Sequence, residues 1–170
     1  MNTFKYIVIT LLVLTTLSGC GTYSFTGADI DYTTTKTYQV NFFQNNAPIV
    51  EPGLDREFTI QLQDLILNQT SLDLVTNGGD LIYEGEIVEY YVAPITATSQ
   101  SKAAQNRLTI SINVRFINTK DVEKDMERRF SFYFDYAGSS QLTGSNLEDA
   151  VNTIFERISQ DIFNSTLANW

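Results

Sequence analysis

Leu108-Thr109-Ile110-Ser111-Ile112-Asn113-Val114-Arg115-Phe116 decides the fold. Apolar and polar side chains alternate through it without a break. A period of two places the apolar set on one face of a strand and the polar set on the other. Such a strand belongs in an antiparallel sheet with one dry and one wet face. Downstream, Asn118 to Asp125 forms a charged hairpin tip. Phe130, Phe132, Phe134 and Tyr136 then alternate with Ser131, Tyr133 and Asp135 and supply the last strand. At that spacing the phenylalanines read as core rather than as a lipid-binding platform.

Working back towards the N-terminus, Asp80 to Val92 is another long strand. Leu81, Tyr83, Ile87 and Tyr91 share one of its faces; Ile82, Glu84, Glu86, Val88, Tyr90 and Val92 share the other. Gly85 marks a bulge or a close backbone approach, and Pro94 closes the strand. Ile95 to Asn106 is a polar loop, long for a hairpin, and loops of that length tend to be functional or mobile. Thr37 to Phe43 is the first strand, followed by a loop from Gln44 to Pro48. Glu51-Pro52 opens a helix, with the proline in the first turn where its missing N–H is not needed. Leu54, Phe58, Leu62, Leu65 and Ile66 form its apolar stripe to about Asn68. Leu72 to Val75 is a short extended piece, and Asn77-Gly78-Gly79 is a turn.

At the C-terminal end, Ser145-Asn146-Leu147-Glu148 has the pattern of a capping box. Leu147, Val151, Ile154, Ile158 and Ile162, flanked by Phe155, make the stripe of a second helix running to about Asn164. The order strand-helix-strand-strand-strand-helix predicts an α+β domain over residues 37–170. Its four-stranded mixed sheet carries both helices on one face.

The N-terminus has a different character. Met1 to Lys5 carries one positive charge, Tyr6 to Leu17 is apolar but short for a membrane span, and Leu17-Ser18-Gly19-Cys20 follows. This is a lipoprotein signal peptide over residues 1–19. Cys20, the sole cysteine, is the anchor: its thiol takes a diacylglycerol and the new amine is usually acylated as well. Two acyl chains already hold a protein stably on a bilayer. Residues 20–36 are the lipidated tether, interrupted by Tyr23, Phe25, Ile30 and Tyr32.

Removal of residues 1–19 leaves 10 basic and 20 acidic residues, which argues against nucleic acid as a partner. There is no histidine and no second cysteine. Metal sites built on those ligands and triads using a histidine base are excluded, and no cofactor motif is present. Glu84 and Glu86 share a strand face, yet a polar sheet surface explains them better than a paired-carboxylate hydrolase. No enzyme is expected. Charge is uneven: Lys102, Arg107, Arg115, Lys120, Lys124, Arg128 and Arg129 lie between Gln100 and Phe130 with only four acids. They are the candidate ligand residues, for an anionic lipid headgroup or the acidic rim of a partner. A solvated hairpin whose charges protect the strand ends is the plainer reading.

Cys20-Gly21-Thr22-Tyr23-Ser24-Phe25-Thr26-Gly27, Phe42-Phe43-Gln44-Asn45-Asn46-Ala47-Pro48, Asp80 to Ile87, Asn106 to Ile110, and the tail Asp161 to Asn164 through Asn169-Trp170 together resemble the LptE family. These are outer-membrane lipoproteins of lipopolysaccharide assembly, and the likeness is to a divergent, non-enterobacterial branch. The resemblance implies the same two-helix, four-strand fold and no enzymatic activity. It implies a plug inside the barrel translocon LptD, assisting barrel assembly and the delivery of lipopolysaccharide to the outer leaflet. It also implies an anchor in the periplasmic leaflet, since Gly21 is not the aspartate associated with inner-membrane retention. A pilot lipoprotein for another secretion pore is the rival reading.

Overall fold

The structure, a computed structural model, describes residues 28–49, 51–95, 105–137 and 142–168. The signal peptide, Cys20, the tether aromatics Tyr23 and Phe25, Lys102 and Trp170 lie outside the described residues.

The middle of the chain folds as its alternation dictates. β5 (Gln105–Asn118) is the central antiparallel strand, between β4 (Leu81–Ile95) and β6 (Met126–Ala137). Leu108, Ile110, Ile112, Val114 and Phe116 are all buried. β1 (Thr37–Val40), β2 (Gln44–Asn45) and β3 (Asp73–Leu74) extend the sheet beyond β4, and the helices α1 (Leu54–Gln69) and α2 (Ser145–Thr166) close over the buried face. β1 pairs parallel to both β3 and β4, so β1, α1 and β4 form a crossover unit joined to an antiparallel meander.

The sheet has six strands rather than four. The difference lies in two-residue segments too short to show a period. The expected first strand, 37–43, stops at Val40, and the chain rejoins the same edge of β4 as β2, with Gln44 opposite Glu86. Between them Asn41 N–H still donates to the Tyr83 carbonyl at 2.8 Å. Phe43 N–H turns away to donate to Thr59 Oγ1 of α1 at 3.1 Å. The extended piece near residue 72 becomes β3.

Four local expectations are corrected. A bulge in β4 falls between Ile87 and Glu89. Beyond it the faces exchange, so Tyr90 is buried and Tyr91 is 53% exposed. Gly85 takes the second of its two expected roles, a close backbone approach: a Cβ there would collide with the Asn113 carbonyl and come within 2.6 Å of the Phe43 ring. Pro94 does not end β4, which continues to Ile95 opposite Gln105. Past β2 nothing pairs on the other side of β4 among the described residues, so no donor is missed there. Neither helix starts as expected. Pro52-Gly53 is a turn, and α1 begins at Leu54 with Gly53 as N-cap. α2 begins at Ser145, one residue too early for a capping box. Gly144, at φ 59°, is its N-cap and makes no side-chain bond. Its carbonyl accepts from Leu147 and Glu148 N–H.

The core is one layer between sheet and helices. Phe43, Phe58 and Phe155 pack edge to face in sequence, at 5.0 and 5.1 Å between ring centroids, and tie the strand break to α1 and α2. Two tyrosines reach through this layer to polar partners, as most buried hydroxyls do. Tyr38 donates to the Gln63 carbonyl at 2.9 Å, and Tyr83 shares a hydrogen bond with Thr166 Oγ1 at 3.0 Å.

The contact at Gly85 yields a prediction. Gly85→Ala destabilises the domain by about 2–3 kcal/mol because a backbone carbonyl and a buried ring must both give way. Gly78→Ala, at a left-handed turn with open space around it, costs about 1 kcal/mol. Urea unfolding of the two variants checks this. Equal losses would remove the packing explanation.

Candidate functional site

The face of the sheet away from the helices is the candidate site. Alternation sends Arg107, Thr109, Ser111, Asn113 and Arg115 of β5 there. Register adds Glu84 and Glu89 from β4, and Glu127, Arg129, Ser131, Tyr133 and Asp135 from β6.

Cross-strand pairing organises these charges. Arg107 holds Asp135 in a two-bond fork, Nε to Oδ1 at 2.6 Å and Nη2 to Oδ2 at 2.8 Å. Its guanidinium also lies 3.6 Å from the Tyr133 ring centroid. Arg107 keeps the Asp135 carboxyl below its ordinary range. Arg115 donates to Glu84 at 3.0 Å and reaches Glu127 at 3.8 Å. Ser111 Oγ donates to Glu89 at 2.6 Å, and Arg129 donates to the same oxygen at 2.6 Å. The Ser111 bond first and Arg129 second lower the Glu89 pKa against the opposing effect of burial. Ser111 is completely buried on this otherwise wet face, enclosed between Glu89 and Ser131.

The seven candidate basic residues therefore do not form one tip. Lys102 lies outside the described residues. Arg107 sits at the start of β5 and Lys120 and Lys124 at its far end, about 35 Å away at ~3.3 Å per residue. Arg107, Arg115, Lys120 and Arg129 each hold an acid from outside the 100–130 stretch: Asp135, Glu84, Asp80 and Glu89. The local excess of positive charge is thus largely neutralised across strands. Arg128 projects on the helix side, its guanidinium 5.2 Å from the Phe130 ring. Lys124 lies in the turn Val122–Lys124. Glu84 and Glu86 are committed to Arg115 and Asn41 and to Asn46 respectively.

Three features escaped the reading of sequence. Tyr91, 53% exposed, flanks Thr109 from one side, opposite the 46% exposed Tyr133 that alternation already places on the wet face. Only the bulge, which no residue type announces, turns Tyr91 outward. An open cleft of about 420 Å³ lies beside the break between β1 and β2, lined by Asn41, Phe42, Gln44, Glu84 and Glu86 among others. Phe42 is 56% exposed at its rim. The third is Asp80, which clasps three elements. Its Oδ2 accepts from the N–H groups of Lys36 and Thr37 and from Thr37 Oγ1, at 2.8–3.1 Å. Its Oδ1 meets Lys120 Nζ at 2.7 Å. The Lys120 bond, then the Lys36 amide, hold this carboxyl far below its ordinary value of 3.8.

The family described as LptE, lipopolysaccharide-assembly, matches residues 35–166. The chain belongs to this family. The match covers every strand and both helices described above. No curated protein matches the sequence. Among solved structures, the hypothetical protein CT253 from Chlamydia trachomatis is similar in fold, with TM-score 0.53 and 11% identity over 79% of this chain and 99% of that one. A minor lipoprotein from Acinetobacter baumannii is 12% identical over 78% and 94% of the two chains, with TM-score 0.46. The rare lipoprotein B from Shewanella oneidensis is 11% identical over 75% and 89%, with TM-score 0.42. LptE membership makes this a lipopolysaccharide-assembly lipoprotein. Among the described residues no helix is long and apolar enough to cross a membrane.

The Asp80 clasp gives this LptE chain a pH signature. A carboxyl with a depressed folded pKa contributes stability that is complete above its unfolded pKa, near 3.8, and is lost as pH falls below it. Asp80→Asn is expected to lower stability by about 2 kcal/mol at pH 7. The deficit shrinks from about pH 4 downwards, as the wild type loses the same interaction. Denaturant titrations at pH 7 and pH 3 measure it, and a deficit independent of pH would contradict the ionic clasp.

Proposed function

We propose that this LptE-family chain is a lipid-anchored component of the outer-membrane lipopolysaccharide translocon. Acylated Cys20 holds it in the periplasmic leaflet. The folded domain sits in the lumen of the LptD barrel as a plug, assists assembly of that barrel and helps deliver lipopolysaccharide to the outer leaflet. It acts by binding, not by catalysis.

The observation that carries this reading is the family match over residues 35–166. The two-faced sheet supports it physically. The lumen of a large barrel is polar, and a plug must meet it with a surface whose charges are already compensated. The ion-paired ladder of Glu84, Arg115, Glu89, Arg129, Arg107 and Asp135 is such a surface. The candidate ligand set Lys102, Arg107, Arg115, Lys120, Lys124, Arg128 and Arg129 would meet phosphates of lipopolysaccharide or acids of the barrel. Lys124 and Arg128 are the best placed, since neither holds a cross-strand ion pair among the described residues. An anion can bind there without dismantling the ladder.

Isolation from native membranes with a tag after Trp170, followed by mass spectrometry, tests the proposal. A large barrel of the lipopolysaccharide-transport type is expected with the wild type. It should be lost when residues 21–170 are replaced by an unrelated domain on the same anchor. Recovery of a secretin, or of no barrel, would overturn the proposal in favour of a pilot lipoprotein.

A further inference from the structure

We propose that β6 is a docking edge for a second copy of this chain, pairing antiparallel with the other copy's β6 about a two-fold axis at Phe132. The inference goes beyond the translocon reading and does not depend on it.

β6 ends the sheet. Over its twelve residues it pairs with β5 only, among the described residues. A long unpaired edge presents a row of backbone donors and acceptors that recruits another strand unless the fold blunts it. Here the edge opens into a cleft of about 500 Å³. Arg128, Arg129, Phe130 and Ser131 line it on one side, and Asp161 and Asn164 of α2 line the other. Residues from both faces of β6 contribute, so the cleft lies at the edge itself. The apolar layer is also unfinished there. Leu108, Ile110 and Ile112 of β5 are fully buried, whereas Phe132, Phe134 and Tyr136 of β6 are only partly covered.

The side-chain pattern selects a second copy as the occupant. In an antiparallel pair, directly opposite side chains share a face and interact. With the axis at Phe132, Arg129 of each copy opposes Asp135 of the other. On the helix side Phe130 opposes Phe134, Arg128 opposes Tyr136, and Phe132 meets its own mate. Every pair off the axis occurs twice, as an isologous interface requires. Moving the axis one residue, to Ser131, sets Glu127 against Asp135 twice, a like-charge contact. Phe132 is therefore the favoured centre. A ladder of this length buries less than a standard interface, so association should be reversible, with a dissociation constant of about 10–100 µM.

Sedimentation of the full chain in detergent, with Cys20→Ser removing the other thiol, tests this. The chain should pass from monomer to dimer over that concentration range. Arg129→Asp and Asp135→Arg should each weaken the dimer about tenfold or more. The double exchange should restore it. That rescue separates the interface from a structural effect. Within one copy Arg129 pairs with Glu89 and Asp135 with Arg107, and the double exchange leaves both of those contacts repulsive. Under mild oxidation Phe132→Cys should form a disulfide between copies. Ser131→Cys should not, since in this register its mate lies beyond the reach of about 7 Å between Cα atoms. A monomer at all concentrations up to ~300 µM, a dimer indifferent to both single exchanges, or preferential linkage at position 131 would each overturn the proposal.

Discussion

Burial of one face of β5 is the constraint on which the rest of the domain depends. Leu108, Ile110, Ile112, Val114 and Phe116 are at most 1% exposed, and a strand so one-sided must be roofed. The two helices do this because each has a single apolar stripe, and each stripe alone would leave its own face wet. β4 and β6 then complete the antiparallel meander, and β1 joins it from the other side of β4 in parallel. Phe43, Phe58 and Phe155 show how closely the roof is tied down: one ring comes from a strand break and one from each helix.

The opposite face follows from the same alternation. Every apolar residue turned inward on β5 puts a polar neighbour outward, where β4 and β6 supply the complementary charge. Fork geometry at Arg107–Asp135 and the shared oxygen of Glu89 make these well-ordered pairs, although exposed ion pairs contribute little to stability one at a time. Their consequence is a face that is polar without carrying a strong net field. Asp80 is different in kind. It is largely covered, 16% exposed, and it links the start of β1, the start of β4 and the β5–β6 turn. Loss of its charge loosens three junctions together.

Much of this was legible in the sequence because it is periodic. Residues 108–116 and 130–136 show a period of two over several repeats, and the stripes Leu54 to Ile66 and Leu147 to Ile162 show a helical period. Each predicts its element and its buried face. What escaped has no period. β2 and β3 are two residues long. The β4 bulge depends on how the strand meets β5 rather than on Val88 itself, and it exchanged the roles of Tyr90 and Tyr91. Gly144 displaced the expected serine cap because helix starts are set by backbone conformation as much as by side-chain oxygens. The candidate basic residues are adjacent along the chain, but β-register scatters them over the sheet and pairs them with acids tens of residues away. Charge counted along a sequence therefore predicts composition and not potential.

The central claim is that one sheet face serves the core while the other meets a polar enclosure in the native membrane. Tyr91 and Tyr133 stand on that second face and are exposed in the domain alone. Hydroxyl-radical footprinting measures this directly, by comparing labelling of the two tyrosines in native outer membranes with labelling of the purified chain. Strong shielding of both in the membrane is the predicted result. Equal labelling of Tyr91 and Tyr133 in the two states would contradict the account.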